Sequence, residues 1–134
     1  MEQLIKTFDN NNWSMSALGR QGNLFRRRIT IDSAGEAPLN VDDAQIKSGF
    51  MAGITRVSVE NETNDYTRIR VGILSSNVFH PHEEDQNPNA ATLYWASEEF
   101  YLGETENLRI ELTGTTAGDR INIYIEGYRA RIIS

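Results

Sequence analysis

The chain has 134 residues, with 13 Lys plus Arg against 19 Asp plus Glu, a net charge of −6 and no Cys, and that length suits one domain with a core of its own. The missing Cys excludes disulfide scaffolds, thiolate catalysis, Cys-ligated zinc and iron–sulfur clusters, and leaves the redox compartment open. The acidic balance opposes whole-domain binding to nucleic acid or anionic lipid, and apolar runs as short as Ile73-Leu74 and Ile132-Ile133 fall far below the ~20 residues of a membrane span.

Residues 1–23 mix Asn10-Asn11-Asn12, Ser14, Ser16, Gly19 and Gly22 with scattered apolar residues and hold no sustained period, so an irregular N-terminal arm is expected there. Met1-Glu2-Gln3-Leu4 has neither a basic nor an apolar leader region, and no secretory signal is expected. From Leu24 the pattern changes. Phe25, Ile29 and Ile31 fall on one parity and Arg26, Arg28 and Thr30 on the other, the period-two signal of a half-buried strand, with Arg27 breaking the apolar face. Asp32 to Pro38 is turn chemistry, and Leu39 to Ile46 is an irregular or short-strand connection with Asp42 and Asp43 exposed.

Ile54 to Glu60 predicts a strand with Thr55, Val57 and Val59 on one face. After the polar turn Asn61–Asp65, Tyr66 to Leu74 predicts a second, alternating Ile69, Val71 and Ile73 with Arg68, Arg70 and Gly72, and the two read as a hairpin. Ser75 to Ala91 holds both His, two of the three Pro and three consecutive acids, and reads as a long exposed loop. Thr92–Trp95 and Glu99–Leu102 read as short strands around a turn. Asn107 to Thr113 then points Leu108, Ile110 and Leu112 inward, and Arg120 to Tyr128 does the same with Ile121, Ile123 and Ile125. No apolar helical period persists for three turns. The expected fold is all-β: a two-sheet antiparallel sandwich, a single jelly roll over residues 24–134, following the arm of residues 1–23. An immunoglobulin-like sandwich is the alternative, without the Cys, Trp, Cys spacing that would support it.

His80-Pro81-His82-Glu83-Glu84-Asp85 is the one dense cluster of metal-capable groups. On an extended segment His80 and His82 point to the same side and could chelate zinc with a carboxylate as third ligand. No second ligand segment is visible and the calcium-loop pattern is missing, so the segment is expected to be solvated and free of any essential metal. Nucleophilic catalysis lacks a Gly-x-Ser-x-Gly elbow, and Glu98 with Glu99, adjacent on a strand, would point to opposite faces, a poor glycosidase pair. No enzyme activity and no cofactor are expected.

Residues 1–32 carry five Lys plus Arg against three acids, a net +2 that leaves −8 for the rest. Arg20, Arg26, Arg27 and Arg28 could dock that part on an acidic partner surface or packaged nucleic acid, or simply pair with neighbouring acids; without interleaved aromatics they make a poor nucleic-acid motif. Trp13, Tyr66, Tyr94, Trp95, Tyr101, Tyr124 and Tyr128 are the amphipathic aromatics. Tyr124 and Tyr128 have the parity opposite Ile121, Ile123 and Ile125, an outer-face position from which rings can stack sugars or fill a subunit contact. In the arm, Leu4, Ile5, Phe8, Trp13, Met15 and Leu18 are too many apolar residues to leave in water, so the arm is expected to order on another subunit with Trp13 as anchor. The interface candidates are Trp13, Phe8, Arg26, Arg28, Tyr124 and Tyr128.

The C-terminal third, from Glu98-Glu99-Phe100-Tyr101-Leu102-Gly103 through Leu108-Arg109-Ile110-Glu111-Leu112 and the turn Gly114-Thr115-Thr116-Ala117-Gly118-Asp119 to Ile121-Asn122-Ile123-Tyr124-Ile125-Glu126-Gly127-Tyr128, resembles the last strands of small single jelly-roll structural proteins of viruses and tailed phages. Capsid vertex (penton) subunits, head-spike bases and decoration proteins are of this kind. Ile54 to Val71, strand then polar turn then strand, is similar to the middle of penton jelly rolls. The resemblance covers about half the chain, brings no catalytic residue with it, and does not extend to residues 1–23. It implies a virion structural protein that forms a homo-oligomer, a trimer or pentamer, and contacts other capsid proteins. A carbohydrate-binding or adhesion module is the alternative, and a small sandwich hydrolase comes third.

Overall fold

The computed structural model describes residues 22–132. Phe8, Trp13 and the arm expected over residues 1–23 lie outside the described residues, except Gly22 and Asn23, which open the first strand. The described residues form nine strands: β1 (Gly22–Asp32), β2 (Leu39–Asp42), β3 (Phe50–Asn61), β4 (Arg68–Ser75), β5 (Val78–Gln86), β6 (Tyr94–Ala96), β7 (Phe100–Leu102), β8 (Asn107–Thr113) and β9 (Arg120–Arg131). Among the described residues no helix is long and apolar enough to cross a membrane.

One sheet runs β1-β9-β3, with β6 and β7 both on the far edge of β3, and the other runs β2-β8-β4-β5. All pairings are antiparallel. Only β4 and β5 form a hairpin between successive strands; apart from β6 to β7, the chain otherwise crosses from one sheet to the other at each step. Two packed sheets wound in this way are a jelly roll. The core between them holds Leu108, Ile110, Leu112, Ile121, Ile123 and Ile125, all with 0% exposure, together with Ile54, Val57, Val59, Ile69 and Val71. Strict alternation in β8 and β9 puts these apolar residues on one face each, and burying each is worth about 1.5–3 kcal/mol. Ile73, expected beside them, is half-buried near the end of β4.

The sandwich has two flanks, each closed by side chains that link the sheets. On one, β1 meets β2: Arg27, on the core-side parity, turns its guanidinium onto the Asp43 carboxylate, with Nε 3.2 Å from Oδ1, and lies 4.3 Å from the Phe25 ring centroid. On the other, β5 meets β6 and β7: the His82 ring stacks on Phe100 with centroids 4.6 Å apart, and the Glu98 amide donates to Glu83 Oε2 at 3.2 Å. One end is tied by Asp119, fully buried, whose carboxylate accepts from Asn61 Nδ2 at 2.9 Å, Asn64 Nδ2 at 2.6 Å and the Thr116 amide at 2.8 Å.

Several expectations need correction. Ser75 to Ala91 is not one long loop, because Val78–Gln86 forms the edge strand β5 paired with β4. Ser76 and Asn77 turn the corner with φ of 50° and 63°, the left-handed pair a two-residue hairpin requires. β3 and β4 are not a hairpin. They belong to different sheets, and the polar turn between them spans the sandwich. Thr55 does not share the core face of Val57 and Val59: a bulge between Ile54 and Arg56 leaves Thr55 half-buried and lets Ala52, Ile54, Val57 and Val59 all face inward. The two short strands expected over Thr92–Trp95 and Glu99–Leu102 are present as β6 and β7; both pair with β3, as two pieces of one interrupted edge strand.

Candidate interaction surface

The residues of β1, β9 and β3 that alternate with the core line the outer face of the five-stranded sheet. Register places Arg28 beside Tyr124, Tyr124 beside Ser58 and Ser58 beside Trp95, so one row crosses four strands. The Arg28 guanidinium lies 5.6 Å from the Tyr124 ring centroid, and that of Arg56 lies 5.2 Å from the Trp95 ring. Contacts of this kind hold the rings and guanidinium groups in place for about 0.5–1 kcal/mol each at exposed sites. Ser58, in the row between the two rings, is only 4% exposed. Trp95 is 56% exposed, Tyr101 55% and Leu24 77%, which makes this face unusually apolar and aromatic for a solvated sheet.

Polar pairs border the row. Arg26 Nε is 3.7 Å from Glu126 Oε2. On the other side Asn122 Oδ1 accepts from Thr30 Oγ1 at 2.9 Å and Asn122 Nδ2 donates to Glu60 at 3.1 Å.

Of the sequence candidates, Arg26, Arg28 and Tyr124 stand together on this face, Tyr124 half-buried between its neighbours. Tyr128 keeps the outer-face parity but is only 3% exposed, which corrects its reading as an open platform. Its ring lies over Gly53, the register partner that has no side chain, and its hydroxyl donates to Glu99 Oε2 at 2.8 Å. Burial first, and then the Glu99 carboxylate, push the phenol above its ordinary range, so Tyr128 is a fixed donor.

In β5, Gly72 pairs with Pro81 and Val71 with Glu83, so His82 is the extra residue of a bulge and its ring is taken by Phe100. Among the described residues no three His, Asp or Glu gather as metal ligands. Glu99 is engaged by Tyr128. A cavity of about 290 Å³ opens beside the β1–β2 flank, walled by Phe25, Ile46, Phe50, Ala52, Ile54 and Leu102. Among the described residues Asp43 is the single carboxylate in its lining, and it is already paired with Arg27.

No family model matches the chain, and no curated protein does. Among solved structures, the chain is similar to the N-terminal cellulose-binding domain of Cellulomonas fimi β-1,4-glucanase C at 9% identity, over 85% of this chain and 90% of that one, with a TM-score of 0.41. A chain of the disulfide-linked pili of Bacillus endospore appendages is similar at 12% identity, over 84% of this chain and 92% of that one, with a TM-score of 0.44. A chain of infectious bursal disease virus, Gt strain, is similar at 11% identity, over 81% of this chain and 30% of that one, with a TM-score of 0.35. The chain is a β-sandwich with jelly-roll strand order.

Proposed function

We propose that the chain is a non-enzymatic virion structural protein, a jelly-roll subunit that forms a homo-oligomer on a viral or phage capsid and contacts other shell proteins. The supporting observation is the Arg28–Tyr124–Ser58–Trp95 row, with Arg56 and Tyr101 beside it. Trp, Tyr and Arg are the residues that concentrate at protein contacts, while Lys is depleted there. This chain uses eleven Arg and only two Lys. Capsid shells are among the assemblies built from jelly rolls. Sedimentation velocity tests the reading: Trp95→Ala with Tyr124→Ala should make the oligomer dissociate at concentrations at least tenfold higher than the native chain, with the thermal transition of the subunit retained. An oligomer indifferent to both substitutions removes the support.

The same row favours a second reading, a carbohydrate-binding or adhesion module, because the exposed Trp95 ring and the half-buried Tyr124 ring, on either side of Ser58 on a sheet face, could stack on sugar rings. Saturable binding on a glycan array by a monomeric chain, lost in Trp95→Ala, would select this reading over the first.

A further inference from the structure

Residues 71–108 contain seven Asp or Glu, both His and no Lys or Arg. The fold gathers five of those acids, Glu83, Glu84, Asp85, Glu98 and Glu99, on the flank formed by β5, β6 and β7. Glu84 is taken by Arg70, Nε to Oε1 2.6 Å, while Asp85 and Glu98 are exposed. Trp95 and Tyr101 stand at the rim of the same flank. The opposite flank starts with β1, where Arg26 has 86% of its side chain exposed, Arg28 is exposed, and Leu24 adds an uncovered apolar side chain. Arg27 is held close by Asp43, whereas Arg26 meets Glu126 only at 3.7 Å and Arg28 reaches Asn122 Oδ1 only at 3.4 Å, so both guanidinium groups keep donors open to a partner.

We propose that copies of this chain associate head to tail, the β1 flank of one subunit seated on the β5–β6–β7 flank of the next, with Arg26 and Arg28 facing Asp85 and Glu98. This rests on the assembly reading above and names its contact. Because the two patches lie on opposite flanks of one sandwich, a single pair of subunits cannot satisfy both, and the contact is heterologous: it closes into a ring where the rotation allows. Guanidinium groups suit such a surface since they bind carboxylates in a fork and also stack on Trp and Tyr rings. The contact runs through side chains. β5 is a poor template for adding a strand, because Pro81 lacks an amide donor and the bulge at His82 bends the edge, both devices that blunt edge pairing.

Charge reversal on the full chain tests this. Arg26→Glu with Arg28→Glu, and separately Asp85→Lys with Glu98→Lys, should each shift the assembly to the 15.2 kDa subunit mass. The chain carrying all four changes should reassemble, since both patches are then inverted together. Retained assembly in both two-site variants, or a folded four-site variant that stays monomeric, overturns the proposal. Should a variant fail to fold, salt titration of the native oligomer decides: added salt should promote dissociation by screening, and indifference to salt overturns the proposal. A native chain that is monomeric throughout overturns the assembly reading itself.

Discussion

Tyr128 lies over Gly53, and a Cβ built on Gly53 would run into the Tyr128 ring. The two are register partners in β9 and β3, so the missing side chain of one is the space occupied by the other. That ring in turn sets the hydroxyl against Glu99, which links β9 to the segment between β6 and β7.

Gly53→Ala should therefore destabilise the fold by about 1–3 kcal/mol, the usual cost of overpacking, with a matching fall in melting temperature. Gly103→Ala serves as the control, because a Cβ there meets only the Glu106 side chain at 3.5 Å; it should stay within about 0.5 kcal/mol of the native chain. Equal effects from the two would show that Tyr128 does not depend on the Gly53 gap.

Ile123 is fully buried and sits between Ile29 and Val59 across three strands. Ile123→Ala should cost about 2–5 kcal/mol in chemical denaturation. A loss below about half a kcal/mol would mean that this face of β9 is not core.

The core residues of β8 and β9 are legible in the sequence because one face of each strand is wholly apolar, and a period of two needs no knowledge of the partner strand. What alternation does not encode is the partner itself: the turn Asn61–Asp65 is equally polar whether it closes a hairpin or spans two sheets, and here it spans them. β5 is hidden for a different reason. As an edge strand with little buried surface it carries His, Pro and three acids without penalty, so its composition matches a loop. Tyr128 shows the limit at the surface, since its burial depends on Gly53, some 75 residues away in sequence. Arg26, Arg28 and Tyr124 are legible as outer-face residues from parity, whereas the part played by Trp95 and Arg56 depends on the bulge at Thr55 and on β6 pairing with β3. The long stretch without Lys or Arg between residues 71 and 108 is the signal that marks the acidic flank.

Asp119 gives the fold an acid-sensitive tie. Burial raises its pKa, but the hydrogen bonds from Asn61, the Thr116 amide and Asn64 outweigh that and hold the carboxyl below its ordinary 3.8. A depressed folded-state value means that the stabilisation is present above 3.8 and is lost as pH falls through the lower folded value. Asp119→Asn should lower stability at neutral pH by about 2 kcal/mol, in the range for hydrogen bonds to a charged group, and the gap to the native chain should narrow below pH 3.8. A gap that is constant with pH would assign the loss to shape instead of charge.

His82 stacked on Phe100 makes that imidazole a packing element joining the two sheets. His82→Ala should lower the melting temperature while His80→Ala leaves it nearly unchanged, and chelator or added zinc should shift neither the native chain nor the variants. A chelator-induced drop restored by zinc would instead establish a metal site in β5.

Light scattering of the native chain over a wide concentration range decides whether the subunits assemble. A discrete oligomer, three or five times the subunit mass of 15.2 kDa, that dissociates on dilution or added salt is expected; a mass of 15.2 kDa at every concentration would show that the chain does not assemble.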